Sequence, residues 1–352
     1  MSLTAFRTLG RSGLVVSPAA LGNMTFGNQG WGSADDVSQA IFNGYVDAGG
    51  NFIDTADVYS GGRSEELLGG YVADRCLRDK LVLATKFSFN AEAGNPHAGG
   101  NGRKNIHRAL EGSLRRLRTD YIDLYWMHAY DSVTPVEEVL QSLGDLVRAG
   151  KIRYFGFSDL PAWYAVKAAT LAAAHGVPGP VALQLEYSLV ERSIEREHVP
   201  AARECGLGIM PWSPLAGGFL TGKYQRNDQG AAGQGRLGGS NPFQGAYTKF
   251  TERNWRVLEA LLEVAAQVGR PPGQVALAWT AAQPGVTTLL LGASKLDQLR
   301  DNLASSNLSL TPGQLQVLDQ GSALDRAFPY GLLTPEGSRM IFGGAAVQGW
   351  RQ

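Results

Sequence analysis

Asn51-Phe52-Ile53-Asp54-Thr55-Ala56-Asp57-Val58-Tyr59-Ser60 is a short apolar run that ends in a carboxylate, Asp54, with a phenol, Tyr59, five residues further on. Alone it reads as a buried strand running into a loop. Two later runs have the same form: residues 81–86 end in the amine of Lys86, and residues 122–128 end in the imidazole of His128. Ionisable groups at the tips of successive apolar strands mark the C-terminal face of a parallel β/α barrel.

Working outward from this stretch, helical and strand patterns alternate along the chain. Residues 6–9 and 14–17 flank Gly10-Arg11-Ser12-Gly13, a hairpin signal. A first barrel strand is expected at 19–21, then a Gly-rich loop and a helix at 34–48 capped by Ser33 or Asp35. Strands follow at 51–54, 81–86, 121–128, 152–158, 181–186, 208–212 and 287–291. Helices are expected at 64–74, 104–117, 135–149, 161–175, 195–204, 249–268, 273–283 and 295–304. Eight strands separated by helices favour a closed (β/α)8 TIM barrel over an open sheet. Segments 89–101, 213–244 and the tail 322–352 fall outside the repeat and read as long loops of the C-terminal face, the tail as a cover for it. With no break in composition, residues 1–352 read as one domain.

Composition narrows the function. The chain has 352 residues, 44% apolar and 18% charged, with formal net charge zero. That describes a globular protein with a substantial core and gives no electrostatic reason to expect nucleic acid or an anionic membrane as partner. The basic cluster Arg115-Arg116-Leu117-Arg118 reads as a solvated helix end. Cys76 and Cys205, on separate helices, make neither a disulfide framework nor a thiolate metal site, and His97, His107, His175 and His198 lack ligand spacing. No metal is expected. The N-terminal residues have no signal-peptide core and no run approaches 18 apolar residues, so a cytoplasmic location is the expectation. Oligomeric state is not readable.

Strand alternation places Asp54 on the side of Phe52, Lys86 on the side of Ala84 and Val82, and His128 on the side of Trp126, Leu124 and Ile122. All three then point into the barrel, where a buried ammonium needs a carboxylate partner and Asp54 supplies one. Each residue has a plain structural reading when taken singly: a loop cap, an ion pair, a packed phenol, a core histidine. Together they have a chemical logic. A nearby ammonium favours the phenolate form of a tyrosine, Asp54 holds Lys86 charged, and His128 hydrogen-bonds a substrate oxygen. Such a set delivers a proton to a carbonyl oxygen while a hydride arrives from elsewhere.

At this point the chain resembles the aldo-keto reductases, over residues 5–310. The matching segments are Leu-Gly-Asn-Met-Thr-Phe-Gly (21–27), Asn-Phe-Ile-Asp-Thr-Ala-Asp-Val-Tyr (51–59), Leu-Ala-Thr-Lys (83–86), Leu-Arg-Thr-Asp-Tyr-Ile-Asp-Leu-Tyr-Trp-Met-His (117–128), Gly-Phe-Ser-Asp (156–159), Leu-Gln-Leu-Glu-Tyr (183–187), Pro-Trp-Ser-Pro-Leu-Ala-Gly-Gly-Phe-Leu-Thr-Gly-Lys-Tyr (211–224) and Leu-Gly-Ala-Ser (291–294). The Trp-Ser-Pro-Leu-Ala-Gly-Gly segment is most similar to the branch of aryl-alcohol dehydrogenase-like proteins and potassium-channel β subunits. The resemblance implies an NADPH-dependent enzyme that reversibly reduces an aldehyde or ketone, with Tyr59 as general acid, Lys86 and Asp54 tuning it and His128 orienting the carbonyl.

It also implies a cofactor site without a Rossmann motif. Ser158, Asp159 and Gln184 would meet the nicotinamide amide, Trp212 would stack beneath the ring, and Thr25, Phe26 and Asp54 would border its ribose. Ser213, Pro214, Leu215, Gly217, Lys223 and Arg236 would hold the pyrophosphate, and Gly292, Ser294, Gln298, Asp301 and Asn302 the adenosine 2′-phosphate and adenine, with Ser294 just before a helix start. Trp31, Phe87 and Tyr130 are expected around an apolar substrate pocket. Two positions depart from the family pattern. Asp159 stands where Asn is usual, and a carboxylate can only accept from the amide NH₂. Gln298 stands where many members have Arg, leaving Lys295 or Arg300 to compensate in selecting NADPH. Two other classes remain open: a redox-reading regulatory subunit of the channel-associated kind, and a Schiff-base aldolase with Lys86 as nucleophile.

Overall fold

A computed structural model of the chain describes residues 3–28, 30, 32–226, 237, 248–325 and 327–347. Trp31 and Arg236 lie outside the described residues. The chain opens with β1 (Arg7–Thr8) and β2 (Val15–Val16), an antiparallel hairpin. The sequence then runs β3 (Ala19–Gly22), α1 (Asp35–Asp47), β4 (Phe52–Asp54), α2 (Arg63–Asp74), β5 (Val82–Phe87), α3 (Arg103–Leu117), β6 (Ile122–Met127), α4 (Val136–Arg148), β7 (Ile152–Ser158) and α5 (Ala162–His175). It continues with β8 (Ala182–Glu186), α6 (Ile194–Cys205), β9 (Gly208–Trp212), α7 (Glu252–Val268), α8 (Pro272–Ala281), β10 (Leu289–Gly292), α9 (Leu296–Ala304), α10 (Pro312–Gly321) and α11 (Pro335–Ile341).

Strands β3 to β10 form one parallel sheet in the order β10-β3-β4-β5-β6-β7-β8-β9. A parallel bridge between Ile209 and Val286, with Ile209 and Thr287 exchanging backbone bonds with this stretch, brings the two edges together. The result is the (β/α)8 barrel, brought nearly to closure at this seam. Its strands are buried on both faces, which is why they read as continuous apolar runs rather than alternating ones.

Two apolar layers result. The interior holds Ala20, Phe52, Val82, Ala84, Leu124, Trp126, Ala182 and Met210, and the outer layer between strands and helices holds Ile53, Leu83, Phe87, Tyr125, Met127, Phe155 and Phe157. Ile122, at the very start of β6, packs with the outer layer instead of the interior. The hairpin plugs the floor: Leu9, Leu14 and Val16 belong to the interior cluster. Gly10 makes this approach possible, because a Cβ there would sit 2.4 Å from the Val181 carbonyl oxygen and its φ is +61°.

Some boundaries differ from expectation for local reasons. Helix α1 is capped by Ala34 without a side-chain bond, since the Ser33 hydroxyl pairs with Ser38 instead. Helix α7 begins at Glu252 because the Thr251 side chain accepts from the Asn254 N–H. The tail beyond α10 is tied to the first turn of α6: Arg196 donates to the Asp325 carbonyl and the Tyr330 hydroxyl donates to Glu197.

Candidate active site

The barrel's stagger assembles the site. In register, Asp54 lies beside Ala84, and Lys86 beside Trp126. Each inward-facing side chain therefore stands one inward step higher than its neighbour on the preceding strand, the shear of a closed barrel. Asp54, Lys86 and His128 climb in sequence above the layer of Phe52, Ala84, Leu124 and Trp126. Gly156 in β7 opens room for Trp126, because a Cβ there would come within 2.4 Å of the indole.

Lys86 is completely buried and its ammonium makes three contacts: the Asp54 carboxylate, the Thr55 carbonyl at 2.8 Å and the Tyr59 hydroxyl at 3.2 Å. The ammonium also lies 4.8 Å from the Tyr59 ring centroid. Asp54 accepts a second bond from the Gln184 amide at 3.0 Å, reaching across the barrel from β8. Burial disfavours both charges, yet Asp54 and Tyr59 together hold Lys86 above its ordinary value. The pair is kept ionised by contact, as a buried ion pair must be.

Tyr59 opens a turn in which Ser60 and Gly61 take left-handed conformations. The Ser60 hydroxyl donates to the Phe26 carbonyl at 2.9 Å, pinning this turn to the loop after β3. The His128 ring stands edge-on to Tyr59, 5.7 Å between centroids, and to Phe89, 4.7 Å. Burial, reinforced by the Lys86 charge, pushes His128 well below its ordinary value, so the imidazole is neutral. Its Nδ1 is buried with no hydrogen-bond partner among the described residues.

Around the four, the residues expected to contact a cofactor fall at the strand tips. Ser158 ends β7, and its hydroxyl is buried without a partner in hydrogen-bond geometry. Asp159 follows it in a left-handed conformation (φ 46°) and accepts from the Trp212 indole N–H at 3.0 Å. Lys223 reaches over the turn that holds Gly217 and Gly218, where a Cβ on Gly218 would meet its Nζ at 2.9 Å. Ser213, Pro214 and Leu215 lead into that turn, with Ser213 accepting from the Ala216 N–H at 2.7 Å. At the end of β10, Thr25 donates to the Ala293 carbonyl at 2.8 Å, and a cleft of about 490 Å³ is lined by Ser33, Asp36, Val37, Ser294, Lys295 and Leu296.

Three placements depart from the sequence reading. The Phe87 ring does not face the mouth, since it is one residue past Lys86 and so points outward, packed on Tyr125 at 4.8 Å. The Phe26 ring is likewise sealed in the outer layer against Tyr71, so only its backbone borders the site. Helix α9 starts at Leu296, one residue later than expected, with Lys295 at the N-cap position, while Ser294 donates from its N–H and hydroxyl to the Gln298 side chain. Asp301 and Asn302 serve as anchors of α9, accepting from Gln274 and donating to the Gly292 carbonyl respectively. Tyr130 sits in an aromatic cluster with Trp163 and Tyr164.

Behind the tetrad lies a buried ionic cluster. Glu65 is completely buried and accepts from Thr85, the neighbour of Lys86, and from Arg116 at 2.6 Å. The Asp57 N–H bonds the Lys86 carbonyl at 3.2 Å, and its carboxyl is pushed up to about 7 by burial and by the Glu65 charge. Arg116, expected as a solvated helix end, is instead the cation of this cluster. The available sequence signal was the spacing of acids in the first turn of α2, which a helix-dipole reading also explains.

Comparison with known proteins completes this picture. The model of the Aldo/keto reductase family matches residues 19–322. The chain belongs to that family. This aldo/keto reductase is 36% identical to the uncharacterized oxidoreductase YrpG of Bacillus subtilis, covering 88% of this chain and 94% of that one. It is 35% identical to the aryl-alcohol dehydrogenase [NADP(+)] of Phanerodontia chrysosporium, over 93% of this chain and 87% of that one. It is also 35% identical to a probable voltage-gated potassium channel subunit beta of Oryza sativa, over 92% and 97%. The aldo/keto reductase described here is an oxidoreductase, a class that acts on small molecules. Among its described residues no helix is long and apolar enough to cross a membrane.

Proposed function

We propose that this aldo/keto reductase is an NADPH-dependent, reversible reductase of aldehyde or ketone carbonyls, working in the cytoplasm. The observation that carries the proposal is the Lys86 ammonium, buried and shared between Asp54 and the Tyr59 hydroxyl at the barrel mouth. Tyr59 donates the proton to the carbonyl oxygen. Lys86 steadies the phenolate left behind, and Asp54 keeps Lys86 charged and in place. His128, neutral and beside the phenol, orients the substrate oxygen by a hydrogen bond.

The site fits a nicotinamide dinucleotide. The buried Ser158 hydroxyl lacks a partner, as a donor reserved for an amide does, and Asp159 and Gln184 flank it. Trp212 offers a stacking face. Lys223 puts a positive charge over the Gly217–Gly218 turn for a diphosphate, and Lys295 lies at the cleft that would take the 2′-phosphate. When bound, the reduced nicotinamide supplies the hydride that Tyr59's proton complements. Titrating the protein with NADPH and with NADH while following Trp212 fluorescence tests site and cofactor choice together. Quenching by NADPH at lower concentration supports the proposal; absence of any quenching contradicts it.

A further inference from the structure

We infer that the Asp159 carboxylate biases this protein toward the oxidised form of its nicotinamide cofactor, the form whose ring carries a positive charge. The inference rests on the proposed placement of the carboxamide beside Ser158, Asp159 and Trp212.

The charges around the mouth support it by cancellation. Lys86 is matched by Asp54, and Glu186 is matched by Lys249 at 2.7 Å. Asp159 has no cation at ion-pair distance among the described residues. Its one side-chain hydrogen bond given by geometry is to a neutral donor, the Trp212 indole N–H, and the Ser158 hydroxyl lies nearby without reaching hydrogen-bond geometry. Its backbone is fixed on both sides, with its N–H donating to the Gln184 carbonyl at 3.4 Å and its own carbonyl accepting from Tyr130 at 3.1 Å. The carboxylate is therefore held in one place, open at the mouth, with a negative charge that no cation among the described residues pairs. A reduced nicotinamide ring is neutral and gains nothing from it; an oxidised ring is attracted. An asparagine at this position keeps the size and an accepting oxygen for the ring's amide and adds a donor, without the charge; the amide it meets is the same in both redox forms.

Crowding by the surrounding protein pushes the Asp159 carboxyl up, opposed by Trp212 and Ser158, with Glu186 acting to raise it and Lys86 to lower it. The bias is accordingly present at alkaline pH and fades on acidification, as Asp159 takes a proton.

The test measures dissociation constants of NADP⁺ and NADPH separately, by calorimetry on the full chain, at pH 8 and pH 5.5. The ratio of NADPH to NADP⁺ dissociation constants should fall about fivefold in Asp159→Asn at pH 8, a change of about 1 kcal/mol. Asp159→Glu should restore it in part, and the parent protein's ratio should fall toward the variant's at pH 5.5. Equal weakening of both forms in Asp159→Asn would overturn the inference, leaving Asp159 a mere prop for Trp212. So would a ratio in the parent protein that does not change with pH. Failure of the parent to bind either form would instead overturn the cofactor placement itself, and this inference with it.

Discussion

The Lys86 ammonium lies 3.2 Å from the Tyr59 hydroxyl while its other side is held by Asp54 and the Thr55 carbonyl. An ammonium so placed is costly to desolvate and persists only because all three contacts are made at once. Lys86→Met keeps the volume and removes the charge. It leaves Asp54 a buried, uncompensated carboxylate and Tyr59 without the group that steadies its phenolate. We expect kcat to drop by roughly 10²–10⁴, the range of a lost acid–base contribution. The pH–rate profile should shift as well; a profile identical in shape to the parent's would argue against phenol tuning.

Asp57 ties stability to pH. Its carboxyl is raised to about 7 by burial and by Glu65, so the folded form holds a proton more tightly than the unfolded chain does. The stabilisation this brings is fully present below the ordinary carboxyl value and is lost as pH rises through about 7. Asp57→Asn removes the titration. Urea denaturation of the parent should therefore lose stability relative to the variant between pH 5 and pH 8, by an amount on the order of a few kcal/mol. Parallel stability curves for the two proteins would show that Asp57 does not titrate in this window.

Two glycines in the same fold should respond with opposite signs. At Gly156 a new Cβ meets Trp126 at 2.4 Å, against an indole locked in the barrel interior. Gly156→Ala is expected to destabilise by about 1–3 kcal/mol through overpacking. At Gly70, inside α2, a new Cβ has nothing within 4 Å. Gly70→Ala should stabilise by about 0.5–1 kcal/mol, because alanine loses less backbone freedom in a helix. Denaturation midpoints measure both, and a tolerated Gly156→Ala would mean that Trp126 is free to move.

The barrel was legible because its strands are apolar runs, those at 51–54, 81–86 and 122–128 closing in an ionisable residue, and alternation alone turned Asp54, Lys86 and His128 to one side. Their mutual contact follows from shear, which is a property of closure and not of any one strand. The same alternation was enough to send Phe87 outward, one residue past Lys86. Its aromatic character drew it toward the mouth, against the strand's own parity. Glu65 and Arg116 escaped notice because each has an ordinary helix-end explanation in sequence. Only packing α2 against α3 reveals that the Glu65 carboxylate is buried and paired with the half-buried Arg116 guanidinium. Likewise Gln184 reads as a strand-tip amide, and its bond to Asp54 exists because the barrel is narrow enough for β8 to reach β4.

The most direct test of the proton-transfer role is Tyr59→Phe, measured for turnover of a carbonyl substrate and, separately, for NADPH affinity. Removing one hydroxyl leaves the ring's packing against His128 in place. Loss of the donor should lower kcat by roughly 10²–10⁴, with NADPH affinity nearly unchanged. Turnover equal to that of the parent protein would contradict the assignment of Tyr59 as the acid.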